Sequence, residues 1–402
     1  MRTRIGIVLL AMGLLWGATP VRAESPKERA AKLTKKLATD KKASVRADAA
    51  KELGDIGAWD AVPALAAALK DPAPEVRAGA AYALVKLKDK AKDATPALKE
   101  ALGDSDRLVR YNAVVALHNM EAASPAEMAA PIVSLFDGAD KDDRESVAAM
   151  LVNLGFEDPV ARKTILDTLE QGDWQVRLEI MQQMWRQDSM KGSGPWKDDV
   201  VKALTPLVTE DLDATVRRQA IVLLWHGKAY SAPVGDALLK ALDDRDPEVA
   251  KQAASTLNGI ENSPLPSKAI THLTQKLKST DPRQRAAAVR TLGGFSGWRE
   301  TFTPLLTAAL LNDKDPAVRL AVVDALGEID DDDAIPALLK ALKTDTDPRV
   351  RAAICTNWSE TQVKLRFART NTLEDVVTAL EAARSDPQVK GPAEAALAEL
   401  RR

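Results

Sequence analysis

The chain has 402 residues, 46% of them hydrophobic but only 4% aromatic, so its apolar content is mostly Ala, Leu and Val, a composition that suits helices better than sheets. Lys and Arg number 56 against 58 Asp and Glu, and the formal charge of −2 leaves no electrostatic footprint for nucleic acid. One Cys excludes an intramolecular disulfide and a Cys-based zinc cluster, and three His argue against a His-rich metal site.

Residues 1–23 read as a secretory leader. Arg2 and Arg4 make a basic start, Ile5 to Trp16 is an apolar run, and Val21-Arg22-Ala23 puts small residues at the cleavage positions. The run is shorter than the roughly 20 residues a spanning helix needs. Cleavage near Ala23-Glu24 is expected, giving a periplasmic or extracellular product with no membrane span in the mature chain.

At about 150 residues per domain the length suggests two or three domains, but an internal repeat overrides that prior. Its signal is a dipeptide: Val45-Arg46, Val76-Arg77, Val109-Arg110, Val176-Arg177, Val216-Arg217, Val318-Arg319 and Val350-Arg351. Weaker copies begin at Asp143, Val249, Gln284 and Val389, which makes about eleven units. After each anchor, apolar residues fall at offsets +4, +5 and +8, as in Ala49, Ala50 and Leu53 or Val322, Val323 and Leu326. That is one buried stripe on a helix. A turn follows, then a second apolar helix, as in AVPALAAALKD (61–71) and AIPALLKALKTD (334–345), with Pro63 and Pro336 in the first turn. One such pair cannot bury its own apolar face, so neighbours must stack. The expected fold is all-α, an α-α superhelix continuous over 24–402, with insertions near 188–199 and 359–372.

The pattern D-x-x-x-x-V-R-x-x-A-A-x-A-L-G resembles the short HEAT repeats of the phycobilin-lyase type, over roughly residues 30–402. Asp precedes Arg by six positions in Asp40/Arg46, Asp71/Arg77, Asp104/Arg110, Asp211/Arg217, Asp313/Arg319 and Asp345/Arg351. Such an Asp can cap the following helix. The resemblance implies that these residues form a structural ladder between repeats.

Departures from the repeat mark candidate functional positions. Offset +9 is small in Gly54, Gly293 and Gly327, but His118, Trp185 and Trp225 occupy it in the middle units. Tyr82, Tyr111 and His226 lie at nearby offsets. The resemblance puts the anchor-bearing helix on the concave face of a superhelix, where these six residues would form an aromatic partner-binding patch. The competing reading is that Trp185 and Trp225 fill gaps between helices. In the insertions, Gly192 to Pro195 mark a loop beside Trp196, and Lys364, Arg366 and Arg369 surround Leu365 and Phe367.

Catalytic and metal signals are weak. The acid runs Asp330 to Asp333 and Asp243-Asp244-Arg245-Asp246 lack calcium-loop spacing and read as helix capping and solvation. His118, His226 and His272 lie in separate units, and none is followed by Glu, unlike the paired motifs of the iron-binding HEAT enzyme deoxyhypusine hydroxylase. No G-x-S-x-G elbow or phosphate-cradling glycine loop occurs, and Cys355 falls at a core offset. The expectation is a non-catalytic scaffold outside the cytoplasm, without cofactor or metal, that binds a protein or peptide. A bilin-lyase-like enzyme and an envelope spacer are the alternatives.

Overall fold

The structure, a computed structural model, describes residues 24–187, 195–261, 263–295, 298–329, 331–358 and 372–401. The expected leader at 1–23 and the segments 188–194 and 359–371 lie outside the described residues, as do the side chain of Trp196 and the cluster around Phe367. Among the described residues every regular element is helical. The chain divides into two compact units, Met1–Pro131 and Ile132–Arg402.

The first unit holds α1 (Pro26–Thr39), α2 (Ala43–Asp55), α3 (Val62–Ala68), α4 (Pro74–Leu87), α5 (Thr95–Ala101) and α6 (Arg107–Asn119). Helix α7 (Pro125–Val133) spans the boundary. The second unit holds α8 (Lys141–Glu157), α9 (Pro159–Gln171), α10 (Trp174–Arg186), α11 (Pro195–Glu210), α12 (Ala214–His226), α13 (Ala232–Ala241) and α14 (Pro247–Asn258). It continues with α15 (Leu265–Lys276), α16 (Pro282–Leu292), α17 (Arg299–Asn312), α18 (Pro316–Ile329), α19 (Ile335–Thr344), α20 (Pro348–Asn357), α21 (Leu373–Ala383) and α22 (Lys390–Arg401).

The even-numbered helices carry the anchors and stack in succession, α2 on α4 on α6 in the first unit and α8 through α22 in the second. Apart from α7, the odd-numbered helices form the second layer, each packed on an even neighbour. The core lies between the layers, where Ala49, Ala50, Leu53, Val322, Val323, Leu326 and Cys355 are all buried. Burial pushes the Cys355 thiol up to about 12. Backbones approach closely where glycine permits: a methyl on Gly54 would stand 2.5 Å from the Ala83 Cα, and one on Gly79 would stand 2.9 Å from the Ala47 carbonyl oxygen.

The turns before five anchor helices share a D-x-D construction. Asp104, Asp211, Asp244, Asp313 and Asp345 each accept the amide of the residue two positions on, at 2.8–2.9 Å. That second residue, Asp106, Asp213, Asp246 or Asp347, is the side-chain cap of the next helix. Helix capping therefore falls two residues later than the Asp that precedes Arg by six, which is occupied elsewhere.

It is occupied by the arginine of the preceding repeat. Arg46 donates Nε and Nη2 to Asp71, Arg77 to Asp104, Arg217 to Asp244, Arg285 to Asp313 and Arg319 to Asp345, all at 2.6–2.8 Å. These are bidentate, charge-assisted contacts. Arg177 reaches Asp211, and Arg351 reaches Asp386, through Nη2 alone. Each bidentate arginine also donates Nη1 to the carbonyl six residues before it, as Arg46 does to Asp40, Arg217 to Asp211 and Arg285 to Ser279. Arg110 makes the same Nη1 contact to the Asp104 carbonyl. One guanidinium thus ties its own turn to the next.

Arg177, Arg285, Asp244 and Asp386 belong to this ladder although the six-residue spacing does not mark them. Asp244 is one of the acid-run residues first read as capping and solvation. It pairs with Arg217 instead, while Asp243 accepts from His272 at 3.0 Å and Lys276 at 2.5 Å. In the other run, Asp331 is buried and accepts from Thr303 Oγ1 at 2.5 Å.

The ladder lapses at two seams of the second unit. Gln171 stands where the acceptor for Arg144 would be, and the Arg144 Nε is buried without a partner. Ala250 stands in the arginine position of α14, and Ser279 faces it in the acceptor position.

Candidate protein-binding surface

The sequence-predicted aromatic residues fall in both units. In the first, Tyr82 on α4 is half-buried, donates its hydroxyl to Asp55 at 3.3 Å and has the Lys86 ammonium 5.2 Å from its ring centre. Tyr111 and His118 lie seven residues apart on α6, two turns along one helix face. Tyr111 is half-buried and His118 exposed. Among the described residues no hydrogen bond or ring contact joins Tyr82 to either.

The second unit gathers its aromatics. Offset +9 lies at the C-terminal end of the anchor helix, against the next anchor helix. A glycine there lets the neighbour close in: a methyl on Gly327 would stand 2.8 Å from Asn357 Nδ2. Trp225 reverses the arrangement by laying its ring over Gly259 of α14, where a methyl would stand 2.2 Å from the ring. Its other contact is Tyr230, with ring centres 5.8 Å apart, and the Tyr230 hydroxyl donates to the Trp225 carbonyl at 3.3 Å. Trp225 is therefore half-buried and serves as the gap-filler the competing reading described.

Trp185 differs. Its ring centre lies 5.8 Å from that of His226 with the planes tilted by 51°; His226 is exposed, and 48% of Trp185 itself is open to solvent. The aromatic run at the C-terminal ends of α10 and α12 thus consists of two pairs, Trp185 with His226, which is exposed, and Trp225 with Tyr230, which is half-buried. Beside it, Arg186 pairs with Glu145 of α8. Glu179 lies in the same helix, 8% exposed; burial, helped by the nearby Glu145 charge, raises its carboxyl above the ordinary glutamate range.

Tyr230 went unnoticed in the sequence because it follows the helix in the turn, at no repeat offset. Trp59 and Trp174, also largely exposed, were missed for a related reason. Trp59 sits in a turn and Trp174 at the first position of α10, where the helical stripe carries no information.

Among the described residues no group of His, Cys, Asp and Glu is arranged to hold a metal ion, and no helix is long and apolar enough to cross a membrane. The described part of this surface offers aromatic faces, an exposed imidazole and a flanking ion pair. It holds no nucleophile paired with a base.

The chain matches the model for HEAT repeats over residues 30–125 and 270–358. No curated protein matches it. Among solved structures it is similar to the karyopherin Kap121p bound to the extreme C-terminus of the protein phosphatase Cdc14p, at 16% identity and a TM-score of 0.63, covering 92% of this chain and 46% of that one. It is also similar to Kap121p bound to the SUMO protease Ulp1p, at 17% identity and a TM-score of 0.61, covering 92% and 45%. The structure of Kap95p with RanGDP shows 15% identity and a TM-score of 0.56, over 93% of this chain and 57% of that one. The chain thus spans about half the length of these neighbours, and at such identities the likeness shows the fold.

Proposed function

We propose that this chain is a non-catalytic, protein-binding scaffold of HEAT repeats that acts outside the cytoplasm after cleavage near Ala23-Glu24. One observation carries the binding reading: the half-exposed Trp185 set against the ring of exposed His226 at the end of the neighbouring anchor helix. A large aromatic face held rigid by its neighbours loses little conformational freedom on binding, the property of an interface anchor. The fold agrees with this role, since Kap121p and Kap95p of similar architecture were solved with protein partners. Tyr82, Tyr111 and His118 are a second candidate surface on the first unit.

The test is affinity capture from the exported fraction, with the chain from Glu24 onward as bait, against the variant Trp185→Ala/His226→Ala. A protein retained by the first bait and lost from the second supports the scaffold and locates its surface. Equal retention removes the aromatic run from the function, and capture by neither bait turns the reading toward an envelope spacer. Stability separates the two tryptophans. Trp185→Ala is expected to cost under about 1 kcal/mol as a surface change, whereas Trp225→Ala opens the seam over Gly259 and is expected to cost about 2–3 kcal/mol. Urea unfolding of both variants checks this, and equal costs would mean that Trp185 is a packing residue too.

A further inference from the structure

A cavity lies at the second lapse of the ladder. Where the other seams hold an arginine folded back onto its own turn, α14 has Ala250, and a space of about 280 Å³ opens between α14, α15 and α16. Its floor is apolar, from Leu242, Leu273 and Ala288, all buried. Four cations line it: Arg245, Lys276, Arg283 and Arg290. The two acids present are already engaged, Asp244 by both arms of Arg217 and Asp243 by His272 and Lys276. Arg245 donates to the Leu212 carbonyl at 2.7 Å. Arg283 and Arg290 make no salt bridge with a described residue, although the charge of Arg290 is felt by Asp324 of α18. Positive charge without a paired carboxylate, at Arg283, thus lies beside an apolar floor.

The next seam, Arg285 with Asp313, is complete, and the other lapse keeps its arginine, Arg144. The missing pair involves both members at once, Ala250 for Arg and Ser279 for Asp, so neither a charge nor an acceptor is left stranded. The arginines beside it offer planar forks that match a carboxylate edge to edge.

We infer that this cavity is a binding site for the carboxylate side chain of an acidic peptide segment, with Arg283 as the principal contact and Arg290 beside it. The apolar floor takes the methylene stem. The site lies apart from the aromatic run and stands without it.

Binding is measured by fluorescence anisotropy on the chain from Glu24 onward. The probe is a labelled peptide with two glutamates flanking a leucine; its glutamine counterpart and free glutarate are the comparisons. The glutamate peptide is expected to bind saturably and the glutamine peptide not to bind. Arg283→Ala should weaken binding about ten-fold or more. The variant Ala250→Arg/Ser279→Asp restores the repeat's own pair, fills the cavity and should abolish binding, with helical circular dichroism and melting no worse than those of the parent. Equal binding by the filled variant or by Arg283→Ala would overturn the proposal, as would binding of the glutamine peptide or no saturable binding at all. Displacement by free glutarate at the peptide's own concentration would overturn the peptide reading in favour of a small dicarboxylate.

Discussion

At the scale of single residues the ladder pair Arg217 and Asp244 has the highest stake, because both side chains are almost wholly buried, at 3% and 7% exposure. Removing one partner leaves a buried charge without its counterion. Asp244→Ala or Arg217→Ala is therefore expected to cost about 3–5 kcal/mol, while the paired change Arg217→Met/Asp244→Leu should cost much less. Urea unfolding of the three variants closes a double-mutant cycle, and additive single effects would show that the two residues do not act together. The sequence showed the arginines plainly, since Val-Arg recurs with a helical stripe behind it. It was less informative about their partners: the relevant spacing is 25–28 residues for the bidentate pairs, across a whole helix pair of variable length. A six-residue spacing within one turn is easier to see, and there the backbone carbonyl, rather than the carboxylate, accepts the arginine.

At the scale of elements, anchor helices end in a common way. Gly57 at φ 68°, Glu121 at φ 51° and Lys228 at φ 49° all stand twelve residues after their anchors in left-handed conformation. In each, the next residue's amide bonds back five positions: Ala58 to Leu53, Ala122 to Leu117 and Ala229 to Leu224, at 2.9–3.0 Å. This is the Schellman closure of a helix, which favours glycine. Glu121→Gly and Lys228→Gly are expected to raise stability by up to about 1 kcal/mol, and Gly57→Ala to lower it by about as much. Thermal melting of the three variants checks the signs, and a loss at Glu121 or Lys228 would mean that those side chains hold the turn. Helix pairs were legible because their stripes are strong and their turns carry Asp and Gly. The aromatic surface was half legible: offset +9 identified Trp185 and Trp225, but offsets alone could not tell the exposed ring from the seated one. Gly259 decides that, and it belongs to the following repeat.

At the scale of the whole molecule the ladder makes stability depend on acid. Arg46, outweighing burial, holds Asp71 below the ordinary aspartate range, and Arg285 does the same for Asp313. For Asp104 burial pushes upward, and Arg77 with the Asp106 amide overcomes it. Arg351 lowers Asp386. A lowered folded-state value means that the unfolded chain takes up protons first as pH falls. The contribution of these carboxylates is then complete above the unfolded value of about 4 and is lost progressively below it. Glu179 acts oppositely, since its raised value favours folding while it is protonated and the contribution fades as pH rises from about 4 upward. The expected profile of urea midpoint against pH therefore falls steeply below pH 4, and Asp71→Asn should flatten that fall. An unchanged slope would remove the ladder from the acid response. The two compact units went unseen in the sequence, because the repeat period runs through residue 131 without a linker or a shift in composition.

A scaffold that repeats one interchangeable clasp at most of its described seams separates the question of where something binds from the question of how the chain folds. Omitting the clasp at a chosen seam changes two side chains and leaves the helices, their caps and their stripes as they were. Position along the array then becomes a variable that selection, or a protein engineer, can set independently. The same two exchanges made at Arg319 and Asp345 would write a second cavity two seams downstream of Ala250, so the spacing between two such marks is a dimension that a partner of matching length can read.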